Sequence, residues 1–548
     1  MSSTSRLGLV PFLTLGAFAL GLAASVGAAP QPPTAGQVQQ TIPPPPRPTP
    51  VTPNQPLVQP APVPGGAAAG GPQFRVDSFQ FNGNTVIKSE ELAAQVVDLR
   101  GRTLTAADLG AAAQKLTRYY QSRGYPLASV NLPTQKVDGG VVRFEVLEGR
   151  LGAVTVEGNR TYAKEGILMQ LSDLPRGQPL AGQDLEQELL LLNDLPGLEV
   201  RGMVVPGKKY GESDLVVKVE EQPRNFTVSF DNHGRDAIGR LRGTLEGRFN
   251  SLIGWGDELT VSLLSSENSL LNYGRFGYSL PVDDEGARVG VSYYETAYEL
   301  DDPNFVLVGI EGRSSGLRVG YSKPLRRTRA SSMTFDVGLQ RLESETTSLG
   351  FPVAGGGITL FEAGLYSSGL TGATAWTSAY GFSGNFRHND GTVDDSQLGR
   401  LRADFSTSSP LGGGWVAATR FTAQYGIGSQ IDLQKFSIGG PYSVRGFEPA
   451  AARGDSGLDG SLEFVRGFGA GDLRGAFALF ADVGYVSSHA RSGAADSDGP
   501  WLAAVGLGVR LQASRHIALS VDYAIPMGGV DPADPNHDHL WGKLNVAF

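Results

Sequence analysis

The stretch "RLRGTLEGRF" (Arg240–Phe249) alternates apolar or small residues with charged and polar ones. Leu241, Leu245 and Phe249 fall on one face of an extended strand, and the charged and polar residues fall on the other. One such strand fits a soluble sandwich as well as a membrane barrel. The pattern recurs about sixteen times between Asn225 and Phe548, and an even number of alternating strands of about 9–11 residues is typical of a closed outer-membrane barrel.

The connections between these predicted strands alternate between short and long. "SPLGGG" (Ser409–Gly414) is short, whereas the connection from Ile427 to Leu458 is the longest. Short turns at one end and long loops at the other are the asymmetry expected of outer-membrane barrels. We therefore predict a barrel of about sixteen antiparallel strands over residues 223–548. The glycine triplets Gly355–Gly357 and Gly412–Gly414 are both interpreted as turns.

The N-terminus has the pattern of a secretory signal peptide over residues 1–28. Arg6 precedes an apolar stretch from Leu7 to about Ala24, and small residues follow. The alternative is a short anchor helix, against which Pro11 and the interspersed glycines argue. The sequence therefore predicts an exported protein.

Charge and composition exclude several classes of partner and site. The chain carries 46 Lys and Arg against 55 Asp and Glu, a net charge of −9, so no nucleic-acid partner is indicated. It has no cysteine, which excludes disulfides and thiolate metal sites. We find no phosphate-binding glycine loop with lysine, no G-x-S-x-G and no zinc-ligand spacing. The segment "DPADPNHDHLWG" gathers His537, Asp538 and His539, where a solvated loop is favoured over a metal site. We expect no cofactor, no metal and no enzyme activity.

A proline-rich linker follows the signal peptide over residues 29–73. Eleven of the positions from Pro43 to Pro64 are proline, which favours extended polyproline II structure. Only "AGQVQQTI" (Ala35–Ile42) is compatible with a helix, and it is too short to be stable alone.

Two repeats of about 75 residues fill the region from residue 74 to residue 222. "FQFNGNTVI" (Phe79–Ile87) aligns with "VTVEGNRTY" (Val154–Tyr162), and both place Gly-Asn at a turn. Each repeat continues with two helices and two strands. In the first repeat Thr105 is the predicted N-cap of the second helix and Gly124 its end. We assign domains to residues 74–149 and 150–222, each with a three-stranded sheet whose free edge accepts an extended peptide.

Two short motifs complete the pattern. "VRGF" (Val444–Phe447) lies in the longest loop, between the eleventh and twelfth predicted strands, and "FADVG" (Phe480–Gly484) lies on the strand after that. With the export signal, the linker, the two repeats and the barrel, these motifs resemble the two-partner secretion transporters of the ShlB/FhaC/HecB haemolysin secretion/activation family, in the Omp85 superfamily. The repeats resemble POTRA domains.

The resemblance implies roles for individual residues. Arg445 would pair with Asp482 and anchor the loop, residues 428–457, inside the barrel. Gly446 would permit a tight backbone and Phe447 would pack in the lumen. The remaining motif residues are Val444 in the loop and Phe480 and Gly484 on the barrel strand. The final residue, Phe548, resembles the C-terminal aromatic signal by which barrels are recognised for membrane insertion.

The resemblance also implies the function and the partners. The protein would sit in the outer membrane of a Gram-negative bacterium with its POTRA domains in the periplasm. There it would capture the N-terminal secretion domain of a large unfolded exoprotein, of hemolysin, adhesin or toxin type, and export it without ATP. Its other expected partners are outer-membrane lipids and the barrel-assembly machinery that inserts it. Some relatives plug the pore with a long helix, and the shortness of "AGQVQQTI" argues against such a plug here.

Three other functions are weighed against this one. A barrel-assembly or insertion factor would share "VRGF" but usually carries more than two POTRA units. A barrel enzyme would need a catalytic constellation at the outer rim, and the six histidines are scattered. A passive porin would not need periplasmic repeats.

Overall fold

The structure is a computed structural model that describes residues 32–43, 57–59, 73–209, 211–303, 305–388, 399–470, 473–489, 497–528 and 538–548. The predicted signal peptide and most of the predicted linker lie outside these residues, as does His537. No helix in the described part of the chain is long and apolar enough to cross a membrane.

Two pieces of the linker form regular structure. Helix α1 spans Ala35–Thr41 and strand β1 spans Val58–Gln59. Thr34 caps α1 in a capping box with Gln37, so hydrogen bonds within the segment itself define where the helix begins. This is the piece that the sequence marked as compatible with a helix but too short to be stable alone, and contacts from the barrel, described below, supply what a seven-residue helix lacks by itself.

The first periplasmic unit has the predicted order of strand, two helices and two strands. Its elements are β2 (Phe74–Arg75), β3 (Ser78–Asn82), α2 (Ser89–Gln95), β4 (Thr103–Leu104), α3 (Ala106–Ser122), β5 (Ser129–Asn131) and β6 (Val141–Leu147). In the three-stranded sheet β6 lies between β3, to which it is parallel, and β5, to which it is antiparallel. Helix α3 is capped by Thr105 and followed by Gly124 at φ +92°, as predicted.

The second periplasmic unit repeats this plan with one additional strand. It consists of β7 (Arg150–Glu157), α4 (Lys164–Met169), α5 (Gly182–Asn193), β8 (Leu198–Pro206) and β9 (Glu212–Glu221). Its sheet has the order β1-β8-β9-β7, because β1 of the linker pairs in parallel with β8. The sheet of this unit therefore has four strands where three were predicted, and its free edge is β7.

The two units share the Gly-Asn turn after their first strand. Gly83 and Gly158 have φ of +89° and +96°, and a Cβ on either would collide with a carbonyl oxygen of the last strand. A carboxylate from the end of that strand accepts the turn's N–H groups: Glu221 accepts from Arg160, Thr161 and Tyr162. Burial acts to raise the pKa of Glu221, but these donors outweigh it and hold that pKa below its usual value.

The described residues between Arg224 and Ala547 include sixteen antiparallel strands that form a closed barrel. The strands are β10 (Arg224–Asp231), β11 (Arg242–Asn250), β12 (Glu258–Ser266), β13 (Leu271–Pro281), β14 (Arg288–Glu299), β15 (Ile310–Arg327), β16 (Ser331–Ser348), β17 (Phe351–Thr371), β18 (Thr374–His388), β19 (Gly399–Gly412), β20 (Trp415–Ile427), β23 (Ser456–Ala470), β24 (Leu473–Ser488), β25 (Ser497–Gln512), β26 (Ile517–Gly528) and β27 (His539–Ala547). Two short strands, β21 (Phe436–Ile438) and β22 (Ala452–Gly454), lie in the connection between β20 and β23. Pairing of β10 with β27 closes the barrel.

Alternation along each strand separates an inner from an outer face. On β24 the side chains of Phe477, Leu479 and Val483 are 57%, 48% and 40% exposed on the outside, whereas Phe480 and Asp482 are buried inside. Exposed large apolar side chains recur around the barrel, among them Leu245, Leu263, Phe276, Val291, Leu317, Leu339, Phe361, Phe405, Phe421 and Leu507. A continuous outward apolar surface is what a lipid bilayer covers.

Several barrel strands are longer than predicted. The strand β17 has 21 residues, and Gly355–Gly357, predicted to form a turn, lie inside it and pair with Glu343–Glu345 of β16. The second triplet does form a turn, with positive φ at Gly412, Gly413 and Gly414. A paired neighbouring strand supplies hydrogen-bond partners that hold Gly355–Gly357 extended, and local sequence does not reveal that neighbour.

The second periplasmic unit contacts the short turns of the barrel. Arg327, at the end of β15, donates to both carboxylate oxygens of Asp194 at 2.6 and 2.7 Å. Gln170 Nε2 donates to the carbonyl of Asp283 in the turn after β13 at 3.0 Å. Ala163 N donates to the carbonyl of Gly254 at 2.8 Å. These contacts place the short turns at the end of the barrel that faces the second unit, and the long connections therefore lie at the opposite end.

Candidate functional site

The longest barrel connection, residues 428–455, folds back into the lumen. It joins the eleventh and twelfth strands, β20 and β23, where "VRGF" was predicted to lie. Its two short strands pair, with Ile438 opposite Ala452, and form the stem of the loop. At the tip Gly440 N donates to the carbonyl of Phe447 at 2.9 Å, which closes a compact turn around Arg445.

The side chain of Arg445 meets Asp482 on the inner face of β24. The guanidinium donates in a fork, with Nε 2.7 Å from Oδ2 and Nη2 2.9 Å from Oδ1, and the backbone N–H of Arg445 donates to Oδ2 at 3.2 Å. The two side chains are 7% and 0% exposed. A buried, bidentate pair of this kind is strong and directional, because neither charge has water as an alternative partner.

Further groups complete the environment of the guanidinium. Nη1 lies 3.1 Å from Glu463 Oε2, and Nη2 donates to Ser461 Oγ at 3.1 Å. The guanidinium carbon lies 3.3 Å from the centre of the Phe480 ring, a cation–π contact. Trp541 Nε1 donates to the carbonyl of Arg445 at 2.6 Å, so main chain and side chain are held from opposite directions.

Sequence reasoning missed Ser461, Glu463 and Trp541. Alternation in "GSLEF" places Ser461 and Glu463 on one face of β23, which is the only signal available for them. Their proximity to Asp482 and Phe480 depends on the register of β23 with β24, where Ser461 is opposite Asp482 and Glu463 is opposite Phe480. Trp541 lies 96 residues from Arg445 and reaches it only through closure of the barrel.

Two glycines permit the close approach of the loop to the wall. A Cβ on Gly446 would lie 2.7 Å from Ala504 Cβ and 3.0 Å from the backbone nitrogen of Pro526. A Cβ on Gly484 would lie 2.9 Å from Ile438 Cγ2 and 3.0 Å from Val444 Cγ2. Neither glycine has a positive φ. The requirement for glycine at both positions therefore comes from the close packing against the wall and not from the backbone conformation.

The apolar residues of the loop motif pack on the same wall. Val444 and Phe447 are 0% and 3% exposed and share one buried cluster with Phe436, Ile438, Val486, Leu502 and Ala504. Fully burying a side chain of this size contributes about 1.5–3 kcal/mol relative to leaving it exposed. The loop is thus held by an apolar contact as well as by the ion pair.

Helix α1 lies in the lumen against the loop and the opposite wall. Thr34 Oγ1 donates to Asp432 Oδ1 at 2.9 Å and Gly36 N donates to Asp432 Oδ2 at 2.5 Å, which attaches the helix N-terminus to the loop. Arg242 Nη1 donates to the carbonyl of Thr41 at 2.8 Å. Ala35 and Val38 of α1 join a buried cluster with residues of the barrel strands and of two connections between strands. The strand residues are Leu264, Leu271, Tyr298 and Ile310, and the connection residues are Ile238 and Leu300. The shortness of this segment argued against a helical plug, and the structure nevertheless places it as a helix in the lumen.

The C-terminal residue ends the closing strand. Phe548 N donates to the carbonyl of Phe226 on β10 at 2.9 Å, and its side chain is 70% exposed. The phenyl ring is therefore available at the barrel rim beside the seam between β10 and β27.

Comparison with known protein families identifies the family to which this chain belongs. The family described as haemolysin secretion/activation protein ShlB/FhaC/HecB matches residues 211–511, more than half of the chain. The chain belongs to this family. The ShlB-type POTRA domain matches residues 74–149, the first periplasmic unit.

The alignments of this ShlB/FhaC/HecB family member with individual relatives extend over most of its length. The chain is 26% identical over 504 residues to the heme/hemopexin transporter protein HuxB of Haemophilus influenzae (strain 86-028NP), covering 87% of each chain. It is 26% identical over 475 residues to the hemolysin transporter protein ShlB of Serratia marcescens, covering 81% of this chain and 82% of that protein. The solved structure of CdiB from Escherichia coli has the same fold, with a TM-score of 0.68 and 22% identity over 94% of this chain and 96% of that one.

These matches confirm the predicted family, fold, location and transport class. The protein is an outer-membrane transporter of the two-partner secretion type with its POTRA units in the periplasm, and transporters of this family work with a secreted exoprotein. The alternative function of barrel insertion is not favoured.

Proposed function

We propose that this transporter exports one large exoprotein as an unfolded chain through its own barrel, and that the Arg445–Asp482 pair holds the loop that shapes the pore. The observation that carries this proposal is the buried fork between a loop guanidinium and a wall carboxylate. The loop lies against the wall on one side of the lumen, and α1 lies in the lumen against residues of β12–β15. The polar inner face accommodates an extended backbone, and folding outside the cell would make export favourable without ATP.

In this proposal the periplasmic units capture the exoprotein before it enters the pore. The second unit lies against the short turns of the barrel, so a segment held there is already at the pore entrance. A POTRA sheet edge binds an extended chain through main-chain hydrogen bonds, which tolerate many sequences. The N-terminal secretion domain of the exoprotein is the proposed partner of this surface.

Two further partners follow from the surface of the barrel. The outward apolar side chains would contact outer-membrane lipids. The exposed Phe548 ring at the seam would serve as the signal read by the barrel-assembly machinery. We assign the chain no enzyme activity, since its relatives are transporters and the proposed site binds by packing and charge pairing alone.

Proteomics of a deletion strain tests the transport proposal. We expect one or two very large proteins to disappear from the culture supernatant and cell surface, while other outer-membrane barrels keep their abundance. Complementation with the wild-type chain should restore the missing proteins. A general loss of unrelated barrels would contradict the proposal and assign the chain to membrane assembly.

A further inference from the structure

The outer wall of the barrel carries a groove at the end that lies away from the periplasmic units. It spans β14–β17 and has a volume of about 650 Å³. Gly355 and Gly357 form part of its floor, because they fall on the same outward face of β17 as Phe361 and have no side chain to fill the space. The glycine triplet inside β17 thus leaves room between the longer side chains of the neighbouring strands.

Two arginines face this groove. Arg341 of β16 lies over Gly357, where a Cβ would overlap its guanidinium, and its Nε donates to Glu343 Oε1 at 3.0 Å. Arg313 of β15 is exposed, and no residue in the described part of the chain forms an ion pair with it. A guanidinium that no carboxylate holds can offer two parallel N–H donors to a phosphate group.

The groove begins where the apolar outer surface of the barrel ends. On β16 Leu339 is 51% exposed and Arg341 is the next outward residue, while on β15 Leu317, which is 46% exposed, is opposite Arg341. Arg313 lies further along β15 from Leu317 by roughly 13 Å of extended strand. The two guanidinium groups therefore lie at, and just beyond, the level at which acyl chains end and polar headgroups begin.

The other groups in the groove suit a sugar. The carboxylates of Glu295, Glu343 and Glu345 line it beside the arginines, and Tyr293 Oη donates to Glu295 Oε2 at 3.1 Å. A carboxylate repels a phosphate group but accepts hydrogen bonds from hydroxyl groups, and tyrosine is common at the boundary between lipid and water. A purely basic groove would fit any anionic phospholipid, whereas this mixture of cations and acceptors fits a phosphate carried on a saccharide.

We propose that this groove binds a phosphorylated, acylated saccharide of the outer leaflet, a glycolipid of the lipid A type. Arg313 and Arg341 hold its phosphate groups, the glutamates accept from its hydroxyl groups, and its acyl chains cover Leu317 and Leu339. The site is thus continuous with the apolar surface of the barrel. This inference rests on the proposed contact with outer-membrane lipids and is independent of exoprotein export.

Lipid binding by the purified full chain tests this assignment. Diphosphoryl lipid A is titrated into the wild type and into an Arg313→Ala, Arg341→Ala double variant, both in detergent, and native mass spectrometry counts the bound lipid. The matched control is Arg466→Ala, which removes an exposed arginine near the other end of the outer wall, on β23. Monophosphoryl lipid A and phosphatidylglycerol are the comparison probes, the first with less phosphate and the second without the disaccharide.

We expect the double alanine variant to bind diphosphoryl lipid A about tenfold or more weakly than the wild type, because it loses two charged donors. Arg466→Ala should bind like the wild type, and Arg313→Lys with Arg341→Lys should recover part of the affinity. Equal affinity of the wild type and the double alanine variant for lipid A would overturn the site. Equal affinity of the wild type for lipid A and phosphatidylglycerol would overturn the preference for a glycolipid.

Reconstitution separates this inference from the lipid contact on which it rests. The wild type and the double alanine variant should both insert into vesicles of phosphatidylethanolamine and phosphatidylglycerol, because the apolar outer residues are unchanged. Failure of the wild type to insert would contradict the proposed lipid contact itself. Insertion of both chains, with lipid A binding lost only in the double alanine variant, would support the groove as the glycolipid site.

Discussion

A guanidinium and a carboxylate meet at Arg445 and Asp482, where both side chains are buried. Removing two charges from water costs several kcal/mol for each, and the fork geometry with additional donors offsets that cost. Once the pair is built, loss of Arg445 leaves the buried Asp482 without its cation and costs about 3–5 kcal/mol. Loss of Asp482 leaves Arg445 with Glu463, whose Oε2 lies 3.1 Å from Nη1. We therefore expect both residues to contribute to the position of the loop, beside the apolar packing of Val444 and Phe447.

Arg445→Ala and Asp482→Ala are each expected to reduce the secreted exoprotein strongly while leaving the barrel in the outer membrane. The apolar packing and the strand pairing that build the barrel are unchanged, whereas the loop loses its charged anchor. Arg445→Lys keeps the charge but not the fork, so we expect intermediate secretion. The measurement is an immunoblot of the exoprotein in culture supernatant beside the amount of transporter in outer-membrane fractions.

The control for this series is Arg466→Ala, an exposed arginine on β23 whose guanidinium lies 5.6 Å from the Trp415 ring. It should secrete like the wild type. Normal secretion by both alanine variants would show that the lumenal pair has no part in transport.

At the scale of elements, α1 shows how tertiary contacts stabilise a helix that local sequence does not. Seven residues are too few for an isolated helix in water. Asp432 of the loop accepts from Thr34 and Gly36, and Arg242 donates to Thr41 at the other end. Both helix termini thus have partners that come from distant parts of the chain.

Gly36→Val is expected to displace α1 and to raise the ion conductance of the pore several-fold. A Cβ at this position would overlap the backbone of Asp432 and its carboxylate, and backbone cannot move aside as a flexible side chain does. The measurement is single-channel conductance of the purified protein in planar lipid bilayers.

The matched control is Gly110→Val in α3, where a Cβ would meet nothing within 4 Å. It should conduct like the wild type. Unchanged conductance of Gly36→Val would mean that α1 does not restrict the pore.

At the scale of the whole molecule, the second unit and the barrel meet at a junction rich in carboxylates. Glu188 of α5 is half-buried there. Burial, and then the carboxylates of Asp173, Asp284, Asp184 and Glu285, raise the pKa of Glu188 to about 7. Asp284 and Glu285 belong to the barrel turn between β13 and β14, so part of this shift exists only while the two units are docked.

The raised pKa makes the stability of the docked unit depend on pH. The folded chain holds a proton on Glu188 that the unfolded chain releases at its usual pKa of 4.5. The resulting stabilisation is present in full below that value and is lost as the pH rises through about 7. Glu188→Gln stays uncharged, so we expect its unfolding temperature to fall less than that of the wild type between about pH 5 and about pH 8, by roughly 2–4 °C.

Calorimetry of the full chain in detergent micelles measures this difference. Glu90→Gln, at an exposed position on α2 of the first unit, is the control and should retain the wild-type pH dependence. If the unfolding temperatures of Glu188→Gln and of the wild type change equally with pH, the ionisation of Glu188 does not affect the stability of the junction.

The parts of this protein that could be predicted from sequence are those governed by local periodicity and local capping. Alternation predicted the barrel and the apolar face of strands such as β11, which includes Leu245, because side chains on a strand alternate whatever the neighbours are. The cap at Thr105 and the repeated Gly-Asn turns follow from short-range hydrogen bonds.

Only the tertiary structure decided where distant segments meet. The register of β23 with β24 brings Glu463 to Arg445, and barrel closure brings Trp541. Docking of the linker places α1 in the lumen and β1 on the second unit. Each of these contacts joins residues far apart in sequence, and its free energy depends on burial and partners that no local window contains.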